Sequence, residues 1–377
     1  MRDRRIQKLI VVLAILVVAI GIVLRFSNSG RERLDDESTS TQFTTSHERS
    51  STHTRVLPRR AQAPPLALAT QEPAAVDFDW HQAFGEGFRP PKLPREEVEK
   101  YLERNNRHAV SLLTAYRALS DTNYLLEAAA NFPNDPRVLL SVLMHDVFPA
   151  ERRQWLERFK TSSPDNSLAS YLSAWGYFRS EQTERAIDEL LEATRKPAFN
   201  DFAIESRQED EELNLAAGRT PLQSKIALHF GEELMAELAK LKWLCHDIVS
   251  LQKQYLAAGD AQSAERVAQI GLGLAHRLNS GDSAKFMINQ LSGASLEALT
   301  LEPLNPNASF DFLGGKTPND RMEELKQQRE PLKAQARKFQ DVYSNATEAE
   351  LLDYYDRRKL YGDVEAMRWL LERRGAR

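Results

Sequence analysis

The sequence predicts an all-α protein in which a helical body follows one transmembrane helix and a disordered tether. Three observations lead to this fold class. An uncharged apolar run, Leu9 to Leu24, follows a basic leader. Residues 27–75 are rich in Ser, Thr, Arg and Pro and poor in large apolar side chains. From Glu96 onward apolar residues recur at helical spacing, without the turn dipeptides or the apolar–polar alternation that indicate strands.

Residues 6–24 are predicted to anchor the chain in a lipid bilayer. As a helix they span roughly 28 Å, which is close to the hydrocarbon thickness of a bilayer. Cationic residues are denser before the span than after it, so residues 1–26 should form a cytoplasmic leader and anchor. The C-terminal body is then exported, and is periplasmic if the host is a Gram-negative bacterium. The alternative is a cleaved signal peptide with Ser27-Asn28-Ser29 as its nearest small-x-small site.

Residues 27–94 are predicted to be a tether between the anchor and the body. Its Ser/Thr/Pro-rich part cannot bury enough apolar surface to offset the entropy of ordering, so we expect it to be disordered. The segment 76–94 differs because it gathers four aromatic residues, Phe78, Trp80, Phe84 and Phe88. We interpret it as an aromatic strap that packs on the chain's own body, with a docking peptide for a partner as the alternative.

Composition limits what the body, residues 95–377, can be. The net charge of the chain is −4, so no basic field suggests a nucleic-acid partner. The single cysteine, Cys245, excludes an intramolecular disulfide framework, and its apolar surroundings predict a buried thiol. A body of this length can bury a core of its own.

Periodicity and cap signals place the helices of the body. Asp135-Pro136, for example, opens a helix with proline at its first position. Residues 302–316 are predicted to be a long loop, and the spacing in 317–343 predicts a helix that packs within the chain, with a kink at Pro331. The predicted helices are 96–105, 106–118, 121–132, 135–146, 149–160, 166–180, 183–195, 202–217, 220–257, 260–278, 282–301, 317–343, 347–360 and 362–374.

The segment 248–271 resembles a tetratricopeptide repeat. Large, turn and small residues fall where that motif places them, at Ile248, Leu251, Tyr255, Gly259, Asp260, Ala264 and Gly271. Weaker copies cover 168–195, where Glu181 replaces the turn glycine, and 354–374. The spacing of the copies is irregular, so the resemblance implies a divergent stack of helical hairpins. It also implies binding of a protein or peptide on a concave face, without catalysis.

The helix pairs between residues 166 and 278 are the predicted binding wall for another protein or peptide. The inward face of a repeat pair also takes bulky residues for packing, so each candidate could equally belong to the core. The candidate aromatic anchors are Tyr171, Trp175, Tyr177, Phe178, Trp243 and Tyr255.

No pattern in the sequence predicts catalysis, a cofactor or a metal. Residues 314–317 resemble the end of a phosphate-binding loop, but the first glycine and the preceding strand of that motif are missing, so Thr317 is interpreted as a helix cap. Cys245, His246 and Asp247 are consecutive, and on a helix such residues point about 100° apart, so they cannot share one ion.

Two short patterns in the sequence resemble parts of enzyme active sites. Glu205-Ser206 resembles the pair that opens the active site of exported murein-cleaving transglycosylases, but it runs into a solvated acidic face. Asp77-Phe78-Asp79 imitates the metal-binding triplet of single-pass glycosyltransferases, whose α/β alternation this body lacks. The sequence therefore predicts a membrane-tethered, non-enzymatic protein-interaction scaffold on the exported side of the membrane. The alternatives are an exported cell-wall or glycan-acting enzyme and a self-associating envelope spacer.

Overall fold

The computed structural model describes residues 90–228 and 233–375. The predicted anchor at 6–24, the Ser/Thr/Pro-rich tether and the strap up to residue 89 lie outside these ranges. Inside them the chain forms helices and no strands, with one isolated bridge between Asn166 and Ala198. The predicted all-α class of the body is therefore confirmed. Among the helices of these ranges, none combines the length and apolarity needed to cross a membrane.

Fifteen α-helices follow one another in the described ranges. The connections between them include three turns of 3₁₀ geometry, Pro149–Glu151, Ser283–Lys285 and Asp311–Leu313. The last lies in the long connection between Leu301 and Pro318, where the sequence predicted a loop at 302–316. The helices are α1 (Arg95–Arg104), α2 (Ala109–Leu119), α3 (Thr122–Asn131), α4 (Pro136–His145), α5 (Arg152–Ser162), α6 (Ser167–Arg179), α7 (Thr183–Arg195), α8 (Ala203–Ala216), α9 (Pro221–Ala227), α10 (Glu233–Ala257), α11 (Ala261–Leu278), α12 (Met287–Leu301), α13 (Pro318–Tyr343), α14 (Glu348–Tyr361) and α15 (Asp363–Arg373).

The starts of the helices follow from local cap chemistry. The Asp135 side chain accepts a hydrogen bond from the amide of Arg137, and Pro136 opens α4 as predicted. Thr317 begins α13 through a reciprocal capping box with Asp320, which confirms its interpretation as a helix cap. These caps satisfy amide groups that the first turn of a helix otherwise leaves without a partner.

Two of the predicted helices differ most from the observed ones. The predicted helix 220–257 is divided into α9, which ends at Ala227, and α10. The apolar periodicity runs on through this region and outweighed Gly231 as a breaker in the sequence. The predicted helix 282–301 begins with a 3₁₀ turn, and its α-helical part starts only at Met287, where the Asp363 carboxylate accepts from the Met287 amide at 2.7 Å.

Most buried apolar residues form one main cluster that joins α1 to α8 with α10 and α11. A second, C-terminal cluster joins α9, α14 and α15, with Phe339 and Tyr343 of α13 packed against it. A third cluster lies between α11, α12 and the buried Leu325 of α13. Helix α13 runs as a single element across Pro331 and packs on α12 and α15, so its predicted packing within the chain is confirmed.

Consecutive helices form hairpins in a repeat-like arrangement, and the turn residues singled out in the sequence shape them. At the α10–α11 turn Gly259 has a φ of +76°, and the Asp260 side chain accepts from the Ser263 amide at 3.0 Å. A Cβ on Gly271 would lie 2.8 Å from the Thr300 side chain, so a small residue here lets α11 approach α12. At the α6–α7 turn Glu181 adopts a φ of +57° in place of glycine.

The end of the aromatic strap lies on the body. Leu93 is buried in the main cluster, and the carbonyl oxygen of Pro91 accepts a hydrogen bond from the Arg219 guanidinium at the end of α8. Packing of the strap on the body is therefore observed for residues 90–94, and for 76–89 it stays a prediction.

Gly362, between α14 and α15, should be the glycine least tolerant of change. Its φ of +89° and ψ of 170° lie in a region that only glycine readily adopts, and a Cβ would collide with the backbone carbonyl of Lys285. We expect Gly362→Ala to lower the free energy of unfolding by about 3 kcal/mol or more, as measured by urea denaturation.

Gly281→Ala is the matched control. Gly281 also has a positive φ, +57°, but a Cβ there would meet nothing within 4 Å. The control should cost only about 1–2 kcal/mol, from backbone strain alone. Equal costs for the two variants would mean that the close approach of Lys285 to Gly362 is not a constraint on the fold.

Candidate partner-binding surface

Helices α6 and α10 pack side by side, and the surface they share carries two of the predicted aromatic anchors. We call it the α6–α10 surface and define it by Trp175 and Arg179 of α6 and by Lys240, Trp243 and Asp247 of α10. Residues three and four apart are neighbours along a helix, so each helix contributes a continuous row to this surface.

The half-buried ring of Trp175 is surrounded by cations from three helices. The Arg179 guanidinium carbon lies 5.2 Å from the ring centroid, that of Arg152 lies 5.5 Å away, and Lys240 Nζ lies 5.7 Å away. Each cation is within the distance at which the negative face of an aromatic ring attracts positive charge. These contacts fix the ring between α5, α6 and α10.

Two of the three cations also form hydrogen bonds with carbonyl groups at the C-terminal end of α4. Arg152 donates to the carbonyl of Leu143 at 2.8 Å, and Lys240 Nζ donates to the carbonyls of Leu143 at 3.1 Å and Met144 at 2.5 Å. The last carbonyls of a helix have no partner within the helix and carry partial negative charge, so cations stabilise them. Arg152 and Lys240 are therefore partly committed to the fold.

Arg179 is the cation of this surface that is open to a partner. It is exposed, and in the part of the chain that the structure describes its guanidinium makes no hydrogen bond. Its contacts are the Trp175 ring and the charge of Asp247. An exposed guanidinium stacked on a fixed ring is well placed to pair with a carboxylate of another molecule.

Trp243 supplies exposed apolar area beside Trp175. Its side chain is 47% exposed, and its ring tilts against that of His246 at a centroid distance of 6.2 Å. Trp243 lies about one helical turn from Lys240, whose ammonium group lies 5.7 Å from the centroid of the Trp175 ring. It also lies one turn from Asp247, and the charge of Arg179 acts to lower the pKa of that carboxyl. Tryptophan is enriched among the residues at the centre of protein–protein interfaces.

The other predicted anchors lie elsewhere. Tyr171 is fully buried in the main cluster, where burial raises the pKa of its hydroxyl to about 12, so it is a core residue in this conformation. Phe178 and Tyr255 are partly buried against the same cluster. Tyr177 is half-buried on another side of α6, with the guanidinium of Arg153 at 4.3 Å from its ring centroid.

Sequence reasoning missed the charged members of the α6–α10 surface. Arg179 follows Trp175 by four residues on a helix, so the pair could have been found from spacing alone. Arg152 and Lys240 come from other helices, and their position against Trp175 depends on tertiary packing.

Two candidate reactive groups, Cys245 and Glu205, lie outside this surface. Cys245 is buried as predicted, with its sulfur 3.7 Å from the Leu296 carbonyl oxygen, and burial raises the pKa of the thiol to about 12. Glu205 is exposed in the first turn of α8. An acid catalyst of glycoside cleavage instead needs a carboxylic acid held in a deep groove. Among the described residues no group of three or more His, Cys, Asp and Glu side chains could hold a metal ion.

The charge of Asp247 should make stability depend on pH. Burial raises the pKa of this carboxyl to about 6, against the opposing effect of Arg179, whereas an unfolded Asp has a pKa of about 3.9. The folded state therefore disfavours the ionised form, and the cost appears as pH rises from about 4 to above 6. We expect Asp247→Asn to stabilise the fold at pH 7 on the order of 1 kcal/mol, a value reduced for partial exposure, with no gain at pH 4.

Urea denaturation at pH 4, 5, 6 and 7 measures this difference, with Asp188→Asn on the exposed face of α7 as the control. The control should leave stability nearly unchanged across the range. A gain for Asp247→Asn that is as large at pH 4 as at pH 7 would show that the charge of Asp247 is not its cause.

The α6–α10 surface presents exposed aromatic area together with the exposed guanidinium of Arg179. No protein-family model, curated protein or solved structure matches this chain. Its function is therefore inferred from the sequence and from the geometry of this surface.

Proposed function

We propose that the chain is a membrane-tethered, non-enzymatic scaffold whose body binds another protein on the exported side of the membrane. The single observation that carries the proposal is the α6–α10 surface, where cations surround the fixed ring of Trp175 and the ring of Trp243 is exposed. The membrane part rests on the sequence alone, through the uncharged apolar run at 6–24 and its basic leader.

The residues of the α6–α10 surface indicate which side chains a partner should carry. Trp243 offers apolar area that a partner side chain would cover, and the Arg179 guanidinium would pair with a carboxylate of that partner. The partner segment is therefore expected to carry an aromatic or large aliphatic residue close to an Asp or Glu. Charge complementarity of this kind mainly sets specificity and the rate of association.

The hairpins support a body that is a divergent relative of tetratricopeptide repeats. The α10–α11 pair has the turn glycine and the capping Asp260 of the motif, and the small residue Gly271 lets α11 approach the next helix, α12. Proteins of this architecture present extended surfaces made of several helices, and they use them for binding. In this proposal α6 and α10 supply that surface.

Site-specific photocrosslinking in cells tests the proposed contact. A benzoylphenylalanine in place of Trp243 should give one dominant protein adduct, and the same group in place of Met322, 41% exposed on α13, should not. Adding Arg179→Glu to the Trp243 variant should reduce the yield of the adduct at least tenfold, because the reversed charge repels an acidic partner. A tenfold loss of affinity corresponds to about 1.4 kcal/mol of binding free energy.

Three outcomes would contradict the proposal. Equal adducts at positions 243 and 322 would mean that the labelling is not specific to the surface. A yield unchanged by Arg179→Glu would remove the predicted charge pairing. An adduct between two copies of this chain would favour the self-associating spacer over a scaffold for another protein.

The membrane topology is tested by fractionation and protease protection. The full chain should sediment with membranes, and removal of residues 1–26 should release it, because the insertion energy resides in that segment. A tag at the C-terminus should be cleaved by protease added from the exported side, and a tag at the N-terminus should be protected. Recovery of the full chain in the soluble fraction would contradict the anchor.

A further inference from the structure

A small cavity lies between α8, α9, α14 and the turn that precedes α12. Its volume is about 50 Å³, several times what one water molecule occupies and enough for a small anion. Its lining residues come from widely separated parts of the chain: Ile204, Arg207, Glu211, Lys225, Leu228, Phe286, Tyr355, Arg358 and Lys359. We call it the α8–α14 cavity, and it shares no residue with the α6–α10 surface.

Among the residues that the structure describes, the charges that line the cavity do not balance. Four cationic side chains, Arg207, Lys225, Arg358 and Lys359, face one carboxylate, Glu211. Both lysines are bound to that carboxylate, Lys225 at 2.7 Å and Lys359 at 3.5 Å. Lys225 also reaches Asp356 at 2.6 Å. The lysines therefore have partners on the protein, and the two arginines are left over.

Arg207 and Arg358 have no hydrogen-bonding partner for their guanidinium groups in the described part of the chain. Arg358 Nε is fully buried and bonded to nothing there, and Arg207 stacks on the Phe286 ring, 4.5 Å from its centroid. The pKa of Arg207 falls to about 10 through burial and the nearby charge of Arg358. Two like charges are thus held together in a partly desolvated place.

Asp363 is the acid whose charge acts on both arginines, whereas Asp201 and Asp210 act on Arg207, and the carboxylate of Asp363 is already engaged. Its carboxylate accepts a hydrogen bond from the Met287 amide at 2.7 Å. It attracts both arginines electrostatically, but it forms no ion pair with either of them. Burial raises the pKa of this carboxyl against the effect of Arg358, so part of its own charge is disfavoured. Burial opposes the charge of both arginines: it lowers the pKa of Arg207, whereas Tyr354 and Asp363 leave the pKa of Arg358 raised in spite of burial. The two cations still repel each other, and a bound anion would offset that repulsion.

We propose that the α8–α14 cavity binds the phosphate group of a small molecule through the guanidinium groups of Arg207 and Arg358. Guanidinium groups donate paired hydrogen bonds that match the oxygens of phosphate. A dianion offsets two unpartnered cations, whereas a single carboxylate would offset only one. Phe286 and Tyr355 form apolar walls that exclude water and strengthen such a contact.

Isothermal titration of the purified full chain with potassium phosphate tests this site. Runs with sodium acetate and with sodium chloride at equal ionic strength separate a phosphate site from a carboxylate site and from a salt effect. For so small a ligand we expect a dissociation constant of about 1 mM or tighter. Arg358→Gln and Arg207→Gln should each weaken phosphate binding at least tenfold.

Arg357→Gln is the matched control, because Arg357 is the exposed neighbour of Arg358 and stacks on Trp369 outside the cavity. It should bind phosphate like the unchanged chain. Without phosphate, Arg358→Gln should resist urea about as well as the unchanged chain, because the loss of repulsion by Arg207 offsets the loss of attraction to Asp363. A purely structural Arg358 would instead lower that resistance.

Four results would overturn the proposal. They are no phosphate binding by the unchanged chain, an equal response to chloride, tighter binding of acetate than of phosphate, and loss of the fold in Arg358→Gln without phosphate. Binding of phosphate by the unchanged chain and by Arg357→Gln, lost in both cavity variants, would support it. None of these outcomes depends on whether the α6–α10 surface binds a protein.

Discussion

Helix α10 buries apolar residues against helices on two sides, and the rest of the body depends on this packing. It contacts α6 on one side and α11 and α12 on the other. Leu241, Leu244 and Ile248 lie in the main cluster, which also contains residues of helices α1 to α8. The exposed edge of the same helix carries Trp243. The element that fixes the core therefore also fixes the proposed binding surface.

Cationic side chains have different roles in two parts of this body. Around Trp175, Arg152 and Lys240 are bound to carbonyls at the end of α4, so their charge stabilises the fold and leaves Arg179 for a partner. In the α8–α14 cavity the lysines are paired, whereas the arginines form no hydrogen bond with the residues that the structure describes. A charge without a partner in a partly buried place is costly, so the two locations differ in what they offer to a ligand. The first offers a protein contact and the second a small anionic group.

The sequence predicted the features that local chemistry determines. The turn at Gly259-Asp260 and the caps at Asp135 and Thr317 were found because each depends on a few adjacent residues. The division between α9 and α10 was missed because apolar periodicity continues across it. The α8–α14 cavity was missed entirely, since its arginines stand about 150 positions apart in the sequence and only tertiary packing brings them together.

Among the predicted aromatic anchors, burial was the property that the sequence could not assign. Tyr171 and Trp175 are four residues apart on α6, yet Tyr171 is fully buried and Trp175 is half-buried. The difference arises because α10 and the end of α4 cover the helix unevenly. Periodicity identifies the side of a helix that packs, but it does not say where the neighbouring helix ends.

Native-state hydrogen exchange of the backbone amides in α10 tests this account most directly. If α10 fixes both the core and the binding surface, its amides around Leu244 and Ile248 should exchange as slowly as those of α6 and α11. All three helices should then share one denaturant dependence, that of a single cooperative opening. Faster exchange in α10, with a weaker denaturant dependence of its own, would contradict the account. It would mean that α6 and α11 hold together without α10 and that the α6–α10 surface is not a fixed surface.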